Sequence, residues 1–311
     1  MNHTKGFETF IRIEKGRSDK TIQAYLGDVG RFRTWLDEHP EEGIPLEWQE
    51  VRTKHVRAYL SELDPSPSYF HRVHSSLKGW FDYLVEVVEV REDNPALKVN
   101  KPKKSNYHPP SLSLDEVRRL IQAALEESRP SERLRNWTLI AFLVNTGLRV
   151  SETCDLNENN VKYRDGAPHS VTVIGKGDKQ RTVVLSDNAR TALHQWMRHR
   201  RQLLLELPPG AAREAVWMIP AGRRKGKRLS PAGVRSLLKR FGNLASIQQD
   251  VYPHLCRHTF ATEAMRGGAK LHALQHTLGH ERLDTTGMYL HADESELEAV
   301  AAVMPDVLSQ Y

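Results

Sequence analysis

Between Asn94 and Ser111 the chain reads NPALKVNKPKKSNYHPPS. Pro95, Pro102, Pro109 and Pro110 each fix φ and remove a backbone donor, and no apolar residue recurs there at helical or strand spacing. Such a stretch continues neither a helix nor a sheet, so it parts the chain in two. We expect a helical domain over 1–100, a basic linker over 101–112 and a second domain over 113–311. With 311 residues, 39% of them hydrophobic, both parts can hold a core of ordinary size.

The first part reads as helices throughout. Ser18 can cap a helix carrying Ile22, Tyr25, Leu26, Val29, Phe32, Trp35 and Leu36 at helical spacing. Val56, Tyr59, Leu60 and Leu63 form a second stripe, which the break DPSPS ends. Tyr69, Phe70, Val73, Leu77, Trp80, Phe81, Leu84 and Val88 form a third. These aromatics read as core rather than as platforms for stacking bases. No strand pattern interrupts them, so a small helical bundle is the natural fold.

The second part opens on Ser113-Leu-Asp-Glu116, a capping box, with Val117, Leu120, Ile121 and Leu125 behind it. Trp137 to Val144 is an apolar run that predicts a buried helix, and Gly147 is its expected terminator. SVTVIGKGDKQRTVVLSD, from Ser170 to Asp187, predicts a hairpin around its Gly-Lys-Gly-Asp-Lys turn. Helices return over 189–207, and Ser230-Pro231 starts another. The fold class is therefore mainly α with a small antiparallel sheet, an α+β arrangement in two domains.

Bulk properties narrow the function. Lysines and arginines outnumber acids to give +6, and the isoelectric point of about 9.2 favours a polyanionic partner. No apolar run approaches the roughly 18 residues that span a bilayer. MNHTKGFETFIRIEKGR lacks the apolar core of a signal peptide, and Cys154 and Cys256 are too far apart for a metal pair. These features predict a cytoplasmic protein with two reduced thiols and no membrane association.

Several polar residues stand in unusual places. Arg149 follows Gly147 inside an apolar segment. Lys176 lies between two glycines at the hairpin tip. HLCRH supplies His254, Arg257 and His258, and LGHERLDTTGMYLH supplies His280 and Tyr289. Each has a plain alternative: an arginine pairing with terminal carbonyls, a solvated lysine, a histidine satisfied in a core. His254 with His258, and His272 with His276 and His280, have the four-residue spacing of zinc ligands. Against that, Gly279 should end the second helix and no cysteine pair lies near, so we expect no metal. Together the residues suit metal-free attack on a phosphodiester. Arginines offer planar, bidentate donors to non-bridging oxygens. A lysine can protonate a leaving 5′ oxygen, and a covalent tyrosine nucleophile would preserve the bond for religation.

The set resembles that of the phage integrase, or tyrosine recombinase, family. NTGLRVSE is similar to its first arginine box, IGKGDKQRTVVL to its lysine hairpin, PHLCRHTFAT to its second arginine box and LGHERLDTTGMYLH to its tyrosine box. Order and spacing agree over 113–291. The N-terminal helices and DNPA…KPKK resemble the core-binding domain and linker of the Xer-like branch. The resemblance implies a two-domain, C-shaped clamp on DNA, made of a SAM-like core-binding domain and a catalytic domain. It implies that Tyr289 attacks the scissile phosphate to give a 3′-phosphotyrosyl link, and that Arg149 and Arg257 clamp the phosphate. Lys176 would protonate the leaving oxygen, His254 would assist proton transfer at the tyrosine, His280 would hydrogen-bond the phosphate, and Glu152 would orient its neighbours.

It also implies double-stranded DNA as partner, no cofactor, and a tetramer on two sites passing through a Holliday junction. That tetramer is a homotetramer, or one shared with a second recombinase. Two other readings are a non-cleaving DNA-binding accessory protein and a type IB-like topoisomerase. ESELEAVAAVMPDVL, with Leu297, Val300, Ala301 and Met304 on one face, resembles the family's terminal helix, which docks on a neighbouring subunit; packing on its own domain is the alternative. Cys256 stands where leucine is usual and Thr153 where an apolar residue is usual, so both should affect packing only. Candidate DNA contacts are Lys101, Lys103 and Lys104 in the linker, Arg223, Arg224, Lys225, Lys227 and Arg228 in AGRRKGKR, and Arg235, Lys239 and Arg240 on the helix that follows.

Overall fold

Apolar residues at helical spacing, punctuated by caps, build most of this chain. The structure, a computed structural model, describes residues 3–40, 46–63, 67–101, 110–175, 179–279 and 294–309. The chain divides into two compact units, Met1–Tyr107 and His108–Tyr311.

The described part of the first unit is helical: α1 (Thr4–Ile13), α2 (Asp19–Glu38), α3 (Thr53–Ser61) and α4 (Pro67–Glu86). Ser18 caps α2 by accepting from the Thr21 N–H at 3.4 Å. The three predicted stripes meet in one core, with Ile22, Phe32, Leu36, Val56, Leu77, Trp80 and Phe81 buried. The aromatics thus pack inward. Helix α1 is an addition to the three predicted stripes. Phe7, Phe10 and Ile11 bury its inner face, and Phe7 meets Trp80 edge-on at 5.1 Å.

In the second unit α5 (Leu114–Glu126) starts on the predicted capping box. Glu116 N–H donates to Ser113 Oγ at 3.2 Å and Ser113 N–H to Glu116 Oε2 at 2.8 Å. Helix α6 (Pro130–Thr146) is buried from Arg135 to Thr146, as an apolar run without a polar face requires. It packs between α5, α8 (Asp187–Leu205) and α10 (Pro253–Arg266). The predicted hairpin is β2 (Ala167–Ile174) and β3 (Gln180–Val184), with Val173 paired to Arg181. A further strand that the sequence pattern does not announce, β1 (Val161–Arg164), pairs antiparallel with β2 and gives the order β1-β2-β3. Burial along β1 runs one inward residue and then three exposed ones, so it lacks alternation to detect.

Helix α7 (Val150–Asp155), α9 (Pro231–Leu244), α11 (Leu271–Leu278) and α12 (Glu294–Ala302) complete the unit. Ser230 caps α9, accepting from Gly233 N–H at 3.1 Å, with Pro231 as first helical residue. Leu297, Val300 and Ala301 of α12 are buried within this unit, Val300 against Phe260, Ala273, Leu274 and Leu278. In the single chain, the terminal helix packs on its own unit. Thr153 and Cys256 are fully buried, in keeping with a packing role. Burial pushes the thiols of Cys154 and Cys256 up to about 12, so neither is a nucleophile at neutral pH. Among the described residues no helix is long and apolar enough to cross a membrane.

Candidate active site

A helix ends with carbonyls that no further turn can satisfy, and its dipole leaves them partly negative. At the end of α11 three successive carbonyls of this kind each take one arginine from a distant segment. Thr277 O accepts from Arg181 Nε at 2.8 Å, Leu278 O from Arg257 Nη2 at 2.6 Å, and Gly279 O from Arg149 Nη2 at 2.9 Å. Helix α11 can end there because Gly279 adopts φ +67°, a left-handed conformation that glycine takes without a Cβ penalty.

The first arginine box is built around a second such ending. Gly147 closes α6 at φ +62°, and a Cβ there would lie 2.4 Å from Phe260 Cδ1 and 2.9 Å from Leu278 Cδ2. Its carbonyl accepts from Arg257 Nη1 at 2.9 Å. The plain reading of Arg149, pairing with terminal carbonyls, describes both arginines: Arg149 takes Gly279 O at the end of α11 and Arg257 takes Gly147 O at the end of α6. Arg149 has turned outward into extended backbone as the residue preceding α7. Glu152, one turn on, accepts the Arg149 N–H on Oε2 and Arg149 Nη1 on Oε1, each at 2.8 Å.

Helix α10 presents His254, Arg257 and His258 while Leu255, Cys256 and Phe260 fill the core. Arg257 is 4% exposed, and the Arg149 side chain is 38% exposed. Burial, and then the like charge of Arg149, push the Arg257 guanidinium down to about 10, which leaves it charged at neutral pH. Burial, and then Arg257 and Arg149, hold His254 below its ordinary value, so it is neutral near pH 7 and able to accept a proton. His258 is lowered the same way, by burial and then by His254 and Arg257; the two rings meet nearly at right angles, 4.6 Å apart.

Arg181 joins the site without having been among the residues predicted for it. Its guanidinium forks onto Glu152, Nη1 to Oε1 and Nη2 to Oε2, both at 2.8 Å. Burial would raise the Glu152 carboxyl, but its bonds to Arg181 and Arg149 outweigh that and hold it below the ordinary value. A parity signal was available. Val183 and Leu185 face the core, and Arg181 shares their face two residues earlier. Three guanidiniums against one carboxylate leave the site a net cation, suited to an anion.

Of the predicted set, the structure brings together Arg149, Glu152, His254 and Arg257. Lys176, His280 and Tyr289 lie outside the described residues, as do Lys103 and Lys104. Their neighbours are placed: Gly175 N–H donates to Lys179 O at 2.8 Å across the hairpin tip, and Gly279 directly precedes His280. The proposed DNA contacts divide. Lys101, Arg223, Arg224, Lys227, Arg235 and Lys239 are exposed. Lys225 pairs with Glu206 at 2.9 Å, and Arg240 donates to Glu127 O at 2.8 Å. Arg228 is occupied, donating to Cys154 O at 2.9 Å and to Asn157 Oδ1 at 2.6 Å. Among the described residues one trio could share a metal ion, His169, Glu294 and Glu298, and Arg164 already pairs with both carboxylates. His272 pairs with Glu296 at 2.9 Å.

Residues 110–296 match the Phage integrase family and residues 4–86 the Phage integrase, N-terminal SAM-like domain. Tyrosine recombinase XerD of Oceanobacillus iheyensis is 30% identical over 295 residues, covering 94% of each chain. Tyrosine recombinase XerC of a Mycobacterium species is 32% identical over 299 residues, covering 94% of this chain and 95% of its own. The fold is that of XerH site-specific recombinase bound to its difH substrate (TM-score 0.65, 22% identity, 96% of this chain and 84% of that one). It is also that of a lambda integrase dimer bound to a COC′ core site (TM-score 0.66, 19% identity, 92% and 97%). The chain belongs to the phage integrase family, that of the tyrosine recombinases, and is a site-specific recombinase of the Xer-like branch.

Proposed function

We propose that this recombinase binds double-stranded DNA and cleaves and rejoins it through Tyr289. The observation that carries the reading is the convergence of Arg149, Arg257 and Arg181 on three successive carbonyls at the end of α11, immediately before residue 280. Held there, Arg149 and Arg257 form a preorganised cationic clamp for a scissile phosphate, and preorganised donors of this kind are worth about 10²–10³ in rate each. Tyr289 Oη attacks phosphorus as its proton passes to neutral His254. The bond to the 5′ oxygen breaks, and Lys176 protonates that leaving oxygen to give a free 5′-hydroxyl. The phosphate, still esterified to the DNA 3′ oxygen, is now bonded to Tyr289 Oη, and His280 hydrogen-bonds it. Attack by a 5′-hydroxyl of the second duplex reverses each transfer. Four protomers on two sites, exchanging strands in pairs, pass through a Holliday junction. Residues 1–100 form the core-binding domain, 101–112 the linker and 113–311 the catalytic domain of a clamp around the duplex. No metal takes part.

The reading is tested with short fragments of the source organism's DNA incubated with the protein in EDTA and stopped with SDS. Wild type should yield covalent protein–DNA bands, and Tyr289→Phe should yield none while retaining DNA on native filters. Adducts in Tyr289→Phe, or retention without adducts in wild type, would overturn it, the latter in favour of a binding protein.

A further inference from the structure

Arg181 adjoins three described segments of the proposed site: α7 at Glu152, the hairpin at Gly175 and the end of α11. Its fork occupies both oxygens of Glu152, whose other contacts are the backbone and side chain of Arg149. Its Nε holds Thr277 O, two residues before Gly279. Two glycines make room for it. A Cβ on Gly279 would lie 2.9 Å from Arg181 Cζ and Nη1, and one on Gly175 would lie 3.5 Å from Nη1. Gly175 precedes Lys176, and Gly279 precedes His280. The side chain is 8% exposed, so little solvent competes for these bonds.

On the reading of the site given above, we propose that Arg181 is a positioning residue that sets three separately encoded parts of the active site with one guanidinium: the Arg149 box through Glu152, the hairpin turn before Lys176, and the chain entering the tyrosine segment. The geometry requires arginine. A bidentate fork onto a carboxylate plus a third donor to a carbonyl uses the planar guanidinium, and a lysine ammonium offers no such fork. Without Arg181, Glu152 would keep Arg149 but lose the tie that fixes it against β3 and α11, and Arg149 would no longer be locked on the phosphate.

The test compares wild type, Arg181→Gln, Arg181→Lys, Glu152→Gln and the double variant Arg181→Gln/Glu152→Gln on the same fragmented DNA. Single-turnover adduct rate, DNA retention and thermal unfolding are read in parallel. Arg181→Gln should slow adduct formation on the order of 10- to 100-fold, the range known for groups that orient metal ligands in the same indirect way, with retention unchanged. Arg181→Lys should recover little of that loss. The double variant should be no slower than the slower single variant, since the two act as one unit. Wild-type rate in Arg181→Gln, losses that multiply in the double variant, or a loss that tracks retention or unfolding temperature would each overturn the proposal. If Arg181→Gln does not fold, Arg181→Lys decides, because it keeps the buried cation; a wild-type rate there overturns it. Absence of adducts in wild type would instead sink the reading of the site itself, and this inference with it.

Discussion

Arg149 and Arg257 look equivalent in sequence, each an arginine in a short box, two residues after Gly147 or next to His258, yet the structure sets them different tasks. Arg257 is buried and satisfies carbonyls at two helix ends, Gly147 O and Leu278 O. Arg149 is partly exposed and leans on Glu152. Removing Arg257 leaves two carbonyls without donors, at about 1–3 kcal/mol for each that stays buried. Arg257→Ala should therefore lower the unfolding free energy by several times more than Arg149→Ala, measured by urea titration, while both abolish adducts. Equal stability losses would contradict this division. Glu152 entered only through the family resemblance, whereas Arg149, His254 and Arg257 were legible because their residue types are costly to place near apolar helices without a reason. Arg181 was not. A single arginine in a strand reads as solvent-facing unless the parity of Val183 and Leu185 is carried one step further back. Nothing local signals that its partner, Glu152, lies 29 residues away.

Helices were legible where caps and stripes agree. Ser18, Ser113 and Ser230 each accept the N–H bond that their spacing predicted. Strand β1 was not legible because it lacks alternation and is fixed by pairing to β2, whereas α1 carries Phe7, Phe10 and Ile11 at helical spacing, a signal present in the sequence beside the three predicted stripes. At this scale α10 carries a testable pH response. His254 and His258 on α10, with His74 on α4, are all held below the ordinary histidine value, first by burial. A depressed histidine binds its proton more readily in the unfolded chain, so stability is fully present above about 6.5 and is lost as pH falls through the lowered values. Glu152, also depressed, acts in the same direction but further down, below the ordinary carboxylate range of about 4. Unfolding free energy should thus fall between about pH 7 and about pH 5, and less so in His254→Gln/His258→Gln. A flat profile in wild type over that interval would refute the assignment.

For the molecule as a whole, the proline-lysine stretch was the most informative part of the sequence. The cores on either side are separate: Phe7 to Val99 cluster in one unit, and Leu112 to Leu308 in the other. The excess of +6 is the electrostatic basis for a polyanionic partner, but the charges are not equivalent. Arg223 and Arg224 are exposed, whereas Arg228 fastens the chain leaving α7. Arg223→Gln/Arg224→Gln should weaken DNA retention on all sequences and reduce its salt slope by about one for each phosphate no longer neutralised, with stability unchanged. Arg228→Gln should lower stability first. On the proposed reading, phosphate chemistry runs through one tyrosine. The most direct measurement digests the trapped adduct with nuclease and trypsin and sequences the modified peptide. The expected product is a nucleotide joined by its 3′ phosphate to Tyr289 within peptide 283–311. A nucleotide on Tyr311 or any other residue, or a link through a 5′ phosphate, would contradict it.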